Sequence, residues 1–220
     1  MSGRGRFGWV LFQLLLAHGC APPALGGPSS RDPHQTLLDA SASSRARMRA
    51  ARALGKSKDP RGIDTLLQVL DTRNLELREQ ALQALRELGA VQALQSRLSD
   101  SAQSTPARRA AARGLRFLKD ASAVPALLTA LKDSSAEVRA EAALALAAFT
   151  PASAQEPLIA ALEDPNQEVR YYAALTLGSF PTPRVKASLQ AREAREKDQT
   201  VLYALTTALK KLEGVESKTP

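Results

Sequence analysis

The sequence predicts an all-α, right-handed α-α superhelical solenoid of about five to six stacked helix pairs. The first observation is an internal repeat: residues 121–149 align with residues 152–180 at a shift of 31 positions. The second is that each copy contains two segments whose apolar residues follow the spacing of an amphipathic helix. One helix pair cannot bury both apolar faces, so repeats of this length predict a stack of units.

The two helices of the copy at residues 121–149 are defined by their apolar faces. Pro125 lies in the first turn of the first helix, where its missing N–H costs nothing. Asp133, in the link that follows, is placed to cap the second helix. That helix is rich in alanine, which allows neighbouring helices to approach closely. The two apolar faces consist of Val124, Leu127, Leu128 and Leu131, and of Val138, Ala142, Ala145 and Phe149.

The same pattern extends through the chain and predicts a repeat domain over residues 34–212. Residues 34–58 form a degenerate first unit, and the sixth unit begins at Pro183. Residues 213–220 are predicted to be a disordered tail. The second helices of the other units are predicted near residues 46–55, 75–88, 107–118 and 200–212.

A short motif within the repeats indicates their family. The pattern L-x-D-x-x-x-x-V-R, followed by an Ala/Leu helix, occurs at Leu131–Arg139 and again at Leu162–Arg170. It resembles the HEAT-like repeats of the phycobilisome-lyase type, whose unit is about 30 residues, and the resemblance covers roughly residues 45–212. It implies the solenoid fold but no single activity, because such repeats serve lyases, scaffolds and adaptors alike. A lyase or chaperone-type subunit of a chromophore-attachment system is therefore one alternative function.

The resemblance also implies a structural role for five arginines at equivalent positions. In HEAT-like repeats an arginine at this position and an aspartate in the turn form a ladder between neighbouring units. Asp133 and Asp164 match that aspartate, whereas Asp71 is one residue out of register and Asp100 is displaced. An anion-binding track is the alternative use of this column, which consists of Arg47, Arg78, Arg108, Arg139 and Arg170.

The N-terminal residues differ from the repeats and predict an export signal. Residues 1–19 combine a basic start with the apolar run Phe7–Ala17, which is too short to span a bilayer but suits a secretory signal. Cys20, the only cysteine, ends a segment that resembles the lipobox of bacterial lipoproteins, which implies lipidation of this residue. Residues 20–33 then comprise the lipidated cysteine and a flexible Pro/Gly/Ser-rich tether. His18 departs from the lipobox pattern and leaves simple cleavage, or an uncleaved apolar start, as alternatives.

These signals predict a location in the bacterial cell envelope. We expect a protein that is anchored by its N-terminal lipid and faces the periplasm. The outer membrane is favoured because Ala21, rather than an aspartate, follows the cysteine. A secreted or soluble periplasmic protein is the alternative.

The helix that follows the tether carries a basic stripe. Its members are spaced 4, 3 and 4 residues apart, so they share one helical face. One interpretation is a solvated face, and the other is a contact with anionic lipid headgroups near the anchor. Only Asp59 opposes the stripe nearby in the sequence, and the stripe consists of Arg45, Arg49, Arg52 and Lys56.

Two tyrosines form a candidate protein-binding patch. Tyr172 and Tyr203 stand 31 positions apart, so they occupy equivalent places in neighbouring repeats. Glu141 and Ala110 hold this place in earlier repeats, which predicts that it lies outside the core. Exposed tyrosines are favourable contact residues, and partial burial against the next repeat is the alternative.

The residues that catalysis and metal binding use most often are missing from the clear repeats. The only histidines are His18 and His34, so nucleophilic catalysis by His or Cys and ordinary zinc sites have no residues to use. The sequence therefore predicts a non-catalytic scaffold without cofactor or metal, which binds another protein and no small-molecule substrate. The formal charge of +8 and the pI near 10 keep nucleic-acid binding as an alternative, which the export signal disfavours.

Overall fold

The computed structural model describes residues 32–216, and all regular elements in this range are helical. Twelve α-helices form six pairs there, which confirms the predicted all-α solenoid of helix pairs. Within this range no helix has both the length and the apolar character needed to cross a membrane. The helices are α1 (Pro33–Leu38), α2 (Ser44–Lys56), α3 (Arg61–Leu67), α4 (Leu75–Glu87), α5 (Ala90–Ser99), α6 (Thr105–Leu118), α7 (Val124–Ala130), α8 (Ala136–Leu146), α9 (Gln155–Ala161), α10 (Gln167–Leu177), α11 (Pro183–Glu193) and α12 (Gln199–Glu216).

The helices lie in two layers. The odd-numbered helices, which open each pair, form one layer, and the even-numbered helices stack in chain order to form the other. One continuous apolar core fills the space between the layers. Alanines at equivalent positions keep the second layer close-packed, because their methyl groups allow short distances between helix axes. The fully buried members of this column are Ala51, Ala81, Ala111, Ala142, Ala173 and Ala204.

Polar side chains in the turns determine where several second helices begin. The Asn74 carboxamide oxygen accepts the Leu77 N–H at 3.0 Å and caps α4. The prediction that Asp133 caps α8 is wrong. The N-cap of α8 is Ser135, and Asp133 Oδ1 accepts the backbone N–H of Ser135 itself at 2.8 Å. The same carboxylate also accepts hydrogen bonds from Arg108 of the preceding repeat.

The first unit begins earlier than the sequence predicts. The Asp32 carboxylate accepts the His34 N–H at 3.1 Å and caps α1, whose first turn contains Pro33. These residues therefore belong to the first repeat rather than to the tether predicted at residues 20–33. Residues 1–31, which include the predicted signal peptide and Cys20, lie outside the described residues.

The last helix is longer than predicted. Helix α12 continues to Glu216, so the predicted tail at residues 213–220 is helical over its first four residues. Leu209 and Leu212, in the C-terminal half of this helix, are buried. Residues 217–220 lie outside the described range.

Candidate functional site

Three arginines of the predicted column form bidentate ion pairs with the next repeat. Arg108 donates to the two Asp133 carboxylate oxygens from Nε and Nη2, each at 2.8 Å. Arg139 donates to Asp164 in the same way, at 2.7 and 2.9 Å. Arg139 Nη1 also donates to the backbone carbonyl of Asp133 at 2.9 Å. Each rung therefore ties one helix to the turn before it and to the turn of the following repeat.

The third rung uses a glutamate that the sequence analysis did not identify. Arg170 Nε and Nη2 donate to Glu196 at 2.8 and 3.1 Å. Glu196 lies 26 residues after its arginine, whereas Asp133 lies 25 residues after Arg108. The extra residue and the different side chain conceal the equivalence in the sequence. An acidic residue near this spacing was the only signal that could have found it.

The ladder carboxyls are held in their ionised form. The hydrogen bonds from Arg108 lower the pKa of Asp133. Burial by itself would raise the pKa of Asp164 and of Glu196. The hydrogen bonds from Arg139 and Arg170, together with those from backbone N–H groups, outweigh it, so both pKa values lie below their ordinary range. The three acids are therefore charged at neutral pH and neutralise their arginines. These rungs are structural and leave little charge for a soluble anion.

Arg47 and Arg78 do not join the ladder, which corrects that part of the prediction. Arg47 Nε donates to the Leu37 carbonyl at 2.9 Å, and Arg78 Nη2 donates to the Thr72 carbonyl at 2.6 Å. The residue 25 positions after Arg78 is Gln103, which carries no charge. In the described part of the chain, Arg78 Nε is buried without a hydrogen-bond partner.

The displaced aspartates have other partners. Asp71 pairs with Arg113 at 2.6 Å, and Asp100 accepts the N–H of Ala102 and the side-chain amide of Gln103. Neither carboxylate therefore pairs with Arg78.

The four residues of the basic stripe are exposed on α2. The Arg52 guanidinium donates to Gln80 Oε1 at 3.1 and 3.3 Å. Asp59, the acid nearest to the stripe in the sequence, forms a two-pronged pair with Arg61 instead. Over residues 32–216 we find no carboxylate that pairs with Arg45, Arg49 or Lys56. The stripe is therefore a free basic surface, and its contact with lipid stays a prediction.

The two candidate tyrosines have different surroundings. Tyr203 is 67% exposed, whereas Tyr172 is half-buried and stacks edge-on against Tyr171 with 5.1 Å between ring centroids. Burial, and then the charges of Glu168 and Glu141, raise the pKa of Tyr172. The structure thus does not bring the two rings into one exposed patch. Tyr203 keeps the exposure that a contact residue needs, while Tyr172 fits the alternative of partial burial.

Glu141, at the place equivalent to the tyrosines, is buried, contrary to the prediction that this place lies outside the core. Its carboxylate lies 3.3 Å from Arg116 Nε and 4.0 Å from Arg109 Nε. Burial raises the pKa of Glu141, although Arg116, Arg113 and Arg109 oppose the shift. The cationic neighbours, on α6, explain how a carboxylate is accommodated there. Among residues 32–216, no group of His, Cys, Asp and Glu side chains is arranged to hold a metal ion.

Comparison with known families identifies the repeats. A sequence model for HEAT repeats matches residues 16–86, 31–105, 91–158 and 127–210. The chain belongs to the HEAT-repeat family. This confirms the predicted HEAT-like repeats, while the phycobilisome-lyase type stays a prediction. HEAT-repeat solenoids are scaffolds suited to protein binding and are usually non-catalytic.

Solved structures with related folds come from several kinds of protein. An engineered protein is 19% identical, with a TM-score of 0.52 over 86% of this chain and 100% of that one. Kap95p, whose binding acts on RanGDP, is 15% identical, with a TM-score of 0.54 over 80% of this chain and 28% of its own. Human deoxyhypusine hydroxylase is 26% identical, with a TM-score of 0.49 over 83% of this chain and 73% of its own. These solved structures establish the fold alone. No curated protein is significantly similar in sequence.

Proposed function

We propose that this HEAT-repeat protein is a lipid-anchored, non-catalytic scaffold that holds another protein in the bacterial cell envelope. The observation that carries the proposal is the arginine ladder, which joins four successive repeats through buried ion pairs. A surface held this rigidly loses little conformational entropy when a partner binds. Tyr203, exposed on α12, offers an aromatic contact on that surface.

The anchoring part of the proposal rests on the sequence of residues 1–33. The basic start, the short apolar run and Cys20 resemble a lipoprotein signal, and the outer membrane is favoured. The basic stripe supports this proposal because its exposed cations lie on the second helix after the tether. Each basic residue near an anionic membrane surface contributes about 1 kcal/mol to membrane attraction. A secreted or soluble periplasmic scaffold is the alternative.

The sequence also allows two other functions. A lyase-type subunit would follow from the phycobilisome-lyase type of repeat, for which the motif at Leu131–Arg139 is the support. Nucleic-acid binding would follow from the net charge of +8. The ladder ion pairs neutralise Arg108, Arg139 and Arg170, so that column offers no continuous basic track for a nucleic-acid backbone. The scaffold therefore remains the function that the geometry supports best.

The intact mass and the detergent partitioning of the protein test the anchor. The wild type, expressed in a bacterium with lipoprotein processing, is expected to enter the detergent phase with a mass that corresponds to a lipidated Cys20. Cys20→Ala is expected to lose the lipid mass and to move to the aqueous phase, while Ala21→Ser, which keeps the cysteine, behaves like the wild type. A wild-type chain that has the unprocessed mass and stays in the aqueous phase would refute the anchor.

A further inference from the structure

The stack of second helices is interrupted between α4 and α6. The other neighbouring second helices pack closely, whereas α4 and α6 share only a small contact. Two of the close interfaces, between α2 and α4 and between α10 and α12, depend on a glycine. A Cβ on Gly55 would lie 2.7 Å from Ala84 Cα, and a Cβ on Gly178 would lie 2.9 Å from Ala208 Cα. At the equivalent place α4 carries Arg86, which is exposed and lines the gap between α4 and α6.

Helix α6 packs towards the layer of first helices instead. Gly114 makes this possible, because a Cβ there would lie 2.7 Å from Leu67 Cδ2 of α3 and 2.9 Å from Leu94 Cδ1 of α5. The ion pair between Arg113 and Asp71, at 2.6 Å, holds α6 in this position. The displacement leaves a groove between α4 and α6, which α8 closes at its far side.

The groove has an apolar floor and a basic rim. Its volume is about 550 Å³, within the range of about 300–1,000 Å³ that is typical of ligand sites. Leu82 of α4 and Leu144 of α8 form part of the floor. One carboxylate, Glu79, lines the groove together with four cationic side chains: Arg78, Arg86, Arg116 and Lys119.

Most of these cations have no acid to neutralise them. Arg78 is one of the two column arginines that lack a rung, and its Nε is unpaired within the described chain. Arg86 and Lys119 are exposed, and no carboxylate of residues 32–216 pairs with either. Arg116 alone is partly neutralised, by Glu141 at 3.3 Å. A ligand with carboxylates would complement this rim, and guanidinium groups bind carboxylates through two parallel hydrogen bonds.

Lys119 adds a cation to the rim from the end of α6. Lys119 ends α6 in the left-handed conformation, with φ 54° and ψ 37°. Glycine is the usual residue at such a helix end, because a side chain is strained there. Lys58 and Thr150 are the other described non-glycine residues with positive φ. At position 119 the strained residue carries a cation at the mouth of the groove, where a glycine would leave none.

The aromatic residue of the groove disfavours a nucleic acid as the ligand. The Phe117 ring has the Arg116 guanidinium 4.5 Å from its centroid and that of Arg78 5.8 Å from it. The ring is therefore engaged by cations and is not free to stack on a base, which is the main contact of single-stranded nucleic acids. The apolar floor can contact an aliphatic side chain, and the basic rim can pair with acidic side chains on either side of it.

We propose that the groove between α4 and α6 binds a segment of a partner protein in which acidic residues flank an aliphatic side chain. The proposal rests on the scaffold function proposed above and adds the place and chemistry of contact. The acidic side chains pair with Arg86, Lys119 and the outer guanidinium nitrogens of Arg78. The aliphatic side chain lies on Leu82 and Leu144. The same groove is too polar at its rim for an uncharged helix.

Fluorescence anisotropy of a labelled EELEE peptide with the full chain in detergent tests the groove. The expected result is saturable binding that Arg86→Glu weakens by about tenfold or more, because charge reversal places a carboxylate against the acidic ligand. Lys119→Gly is expected to weaken binding by about two- to fivefold while it raises the unfolding temperature, since strain is relieved. Lys210→Glu, an exposed lysine of α12 outside the groove, is the matched control and is expected to change affinity less than about twofold.

Several outcomes would overturn the proposal. These are absence of binding to the wild type, equal losses in Arg86→Glu and Lys210→Glu, and equal competition by inorganic phosphate or by single-stranded DNA. A KKLKK peptide that binds as tightly would also exclude the charge argument. Far-UV circular dichroism verifies that each variant is folded. The Cys20 experiment does not involve the groove, so failure of the anchor and failure of the binding site are distinguishable.

Discussion

Each ladder arginine bonds to two successive turns at once. Arg139 reaches forward to Asp164 and backward to the carbonyl groups of Asp133 and Ser134. The side chains of Arg139 and Asp164 are only 15% and 11% exposed. Removing one partner of such a pair leaves a charge that is poorly solvated and unpaired, which costs far more than the loss of an exposed pair.

Asp164→Asn is expected to lower the free energy of unfolding by about 3 kcal/mol near pH 7. The pKa of Asp164 is lowered in the folded chain from a reference value of 3.8. The folded state therefore binds fewer protons than the unfolded state, and this stabilisation is present above the unfolded pKa and is lost as pH falls through the folded pKa. The difference between wild type and variant should thus shrink as the pH drops below about 4. Urea unfolding of both proteins at several pH values measures this difference in the free energy of unfolding.

Asp120→Asn is the control for the ladder prediction. Asp120 also has a lowered pKa, because of hydrogen bonds from Ser122 in its own turn, and it lies outside the ladder. Asparagine caps almost as well as aspartate, so the free energy of unfolding is expected to stay close to that of the wild type. Equal losses for the two variants would show that the pair with Arg139 adds nothing to stability.

The helices of the second layer approach one another as closely as their smallest residues allow. Gly55 of α2 faces Ala84 of α4, and Gly178, directly after α10, faces Ala208 of α12. These contacts are between backbone atoms, so they cannot adjust by rotation of a side chain. Between α4 and α6 the packing differs, because Gly114 sets α6 against Leu67 and Leu94 of the first layer, and a groove forms.

Gly55→Ala is expected to lower the free energy of unfolding by about 1–2 kcal/mol, because the new methyl group requires the backbones of α2 and α4 to separate. Urea unfolding followed by circular dichroism gives the value. Gly62→Ala is the matched control, since its Cβ would meet Leu88 Cδ1 at 3.4 Å, an ordinary contact. Alanine favours helix by up to about 1 kcal/mol over glycine, so this control should be neutral or stabilising. A loss at Gly62 as large as that at Gly55 would contradict the packing argument.

The whole molecule is a chain of nearest-neighbour interfaces of unequal strength. In a repeat protein, stability is close to the sum of the units and the contacts between successive units. The contact between the second and third helix pairs is the smallest between second helices. Arg113 and Asp71 bridge it by an ion pair whose side chains are partly exposed. Helices α1–α4 and α5–α12 are therefore joined by the weakest interface of the described solenoid.

Native-state hydrogen exchange should show two cooperative units. Amides of α2 and α4 are expected to exchange through an opening of lower free energy than amides of α6, α8 and α10, because two pairs bury less surface than four. Asp71→Asn should lower the opening free energy of the first unit and leave that of the second unchanged. Exchange of all core amides with one common free energy would contradict a weak second interface.

Much of this architecture could be predicted from the sequence because it is written in repeated local patterns. The spacing of Leu127 and Leu131, the turn before Val138 and the alanine columns depend on neighbours only a few residues away. Helix existence and pairing follow from such patterns. The rung that ends in Glu196, the burial of Glu141 and the different exposure of Tyr172 and Tyr203 could not be predicted, because each depends on the exact offset between two helices.

The sequence by itself determined the repeat, the helix pairs, the family and the rungs from Arg108 and Arg139 to aspartates at a constant spacing. Only the tertiary structure decided which column arginines lack an acid and where the second layer opens. The physical reason is that periodic burial is a local property of each repeat, whereas a gap arises from the sum of several side-chain volumes and charges. Gly114 and Arg113 each look ordinary in the sequence, and together they draw α6 towards the first layer and leave a groove that Arg78, Arg86 and Lys119 make basic.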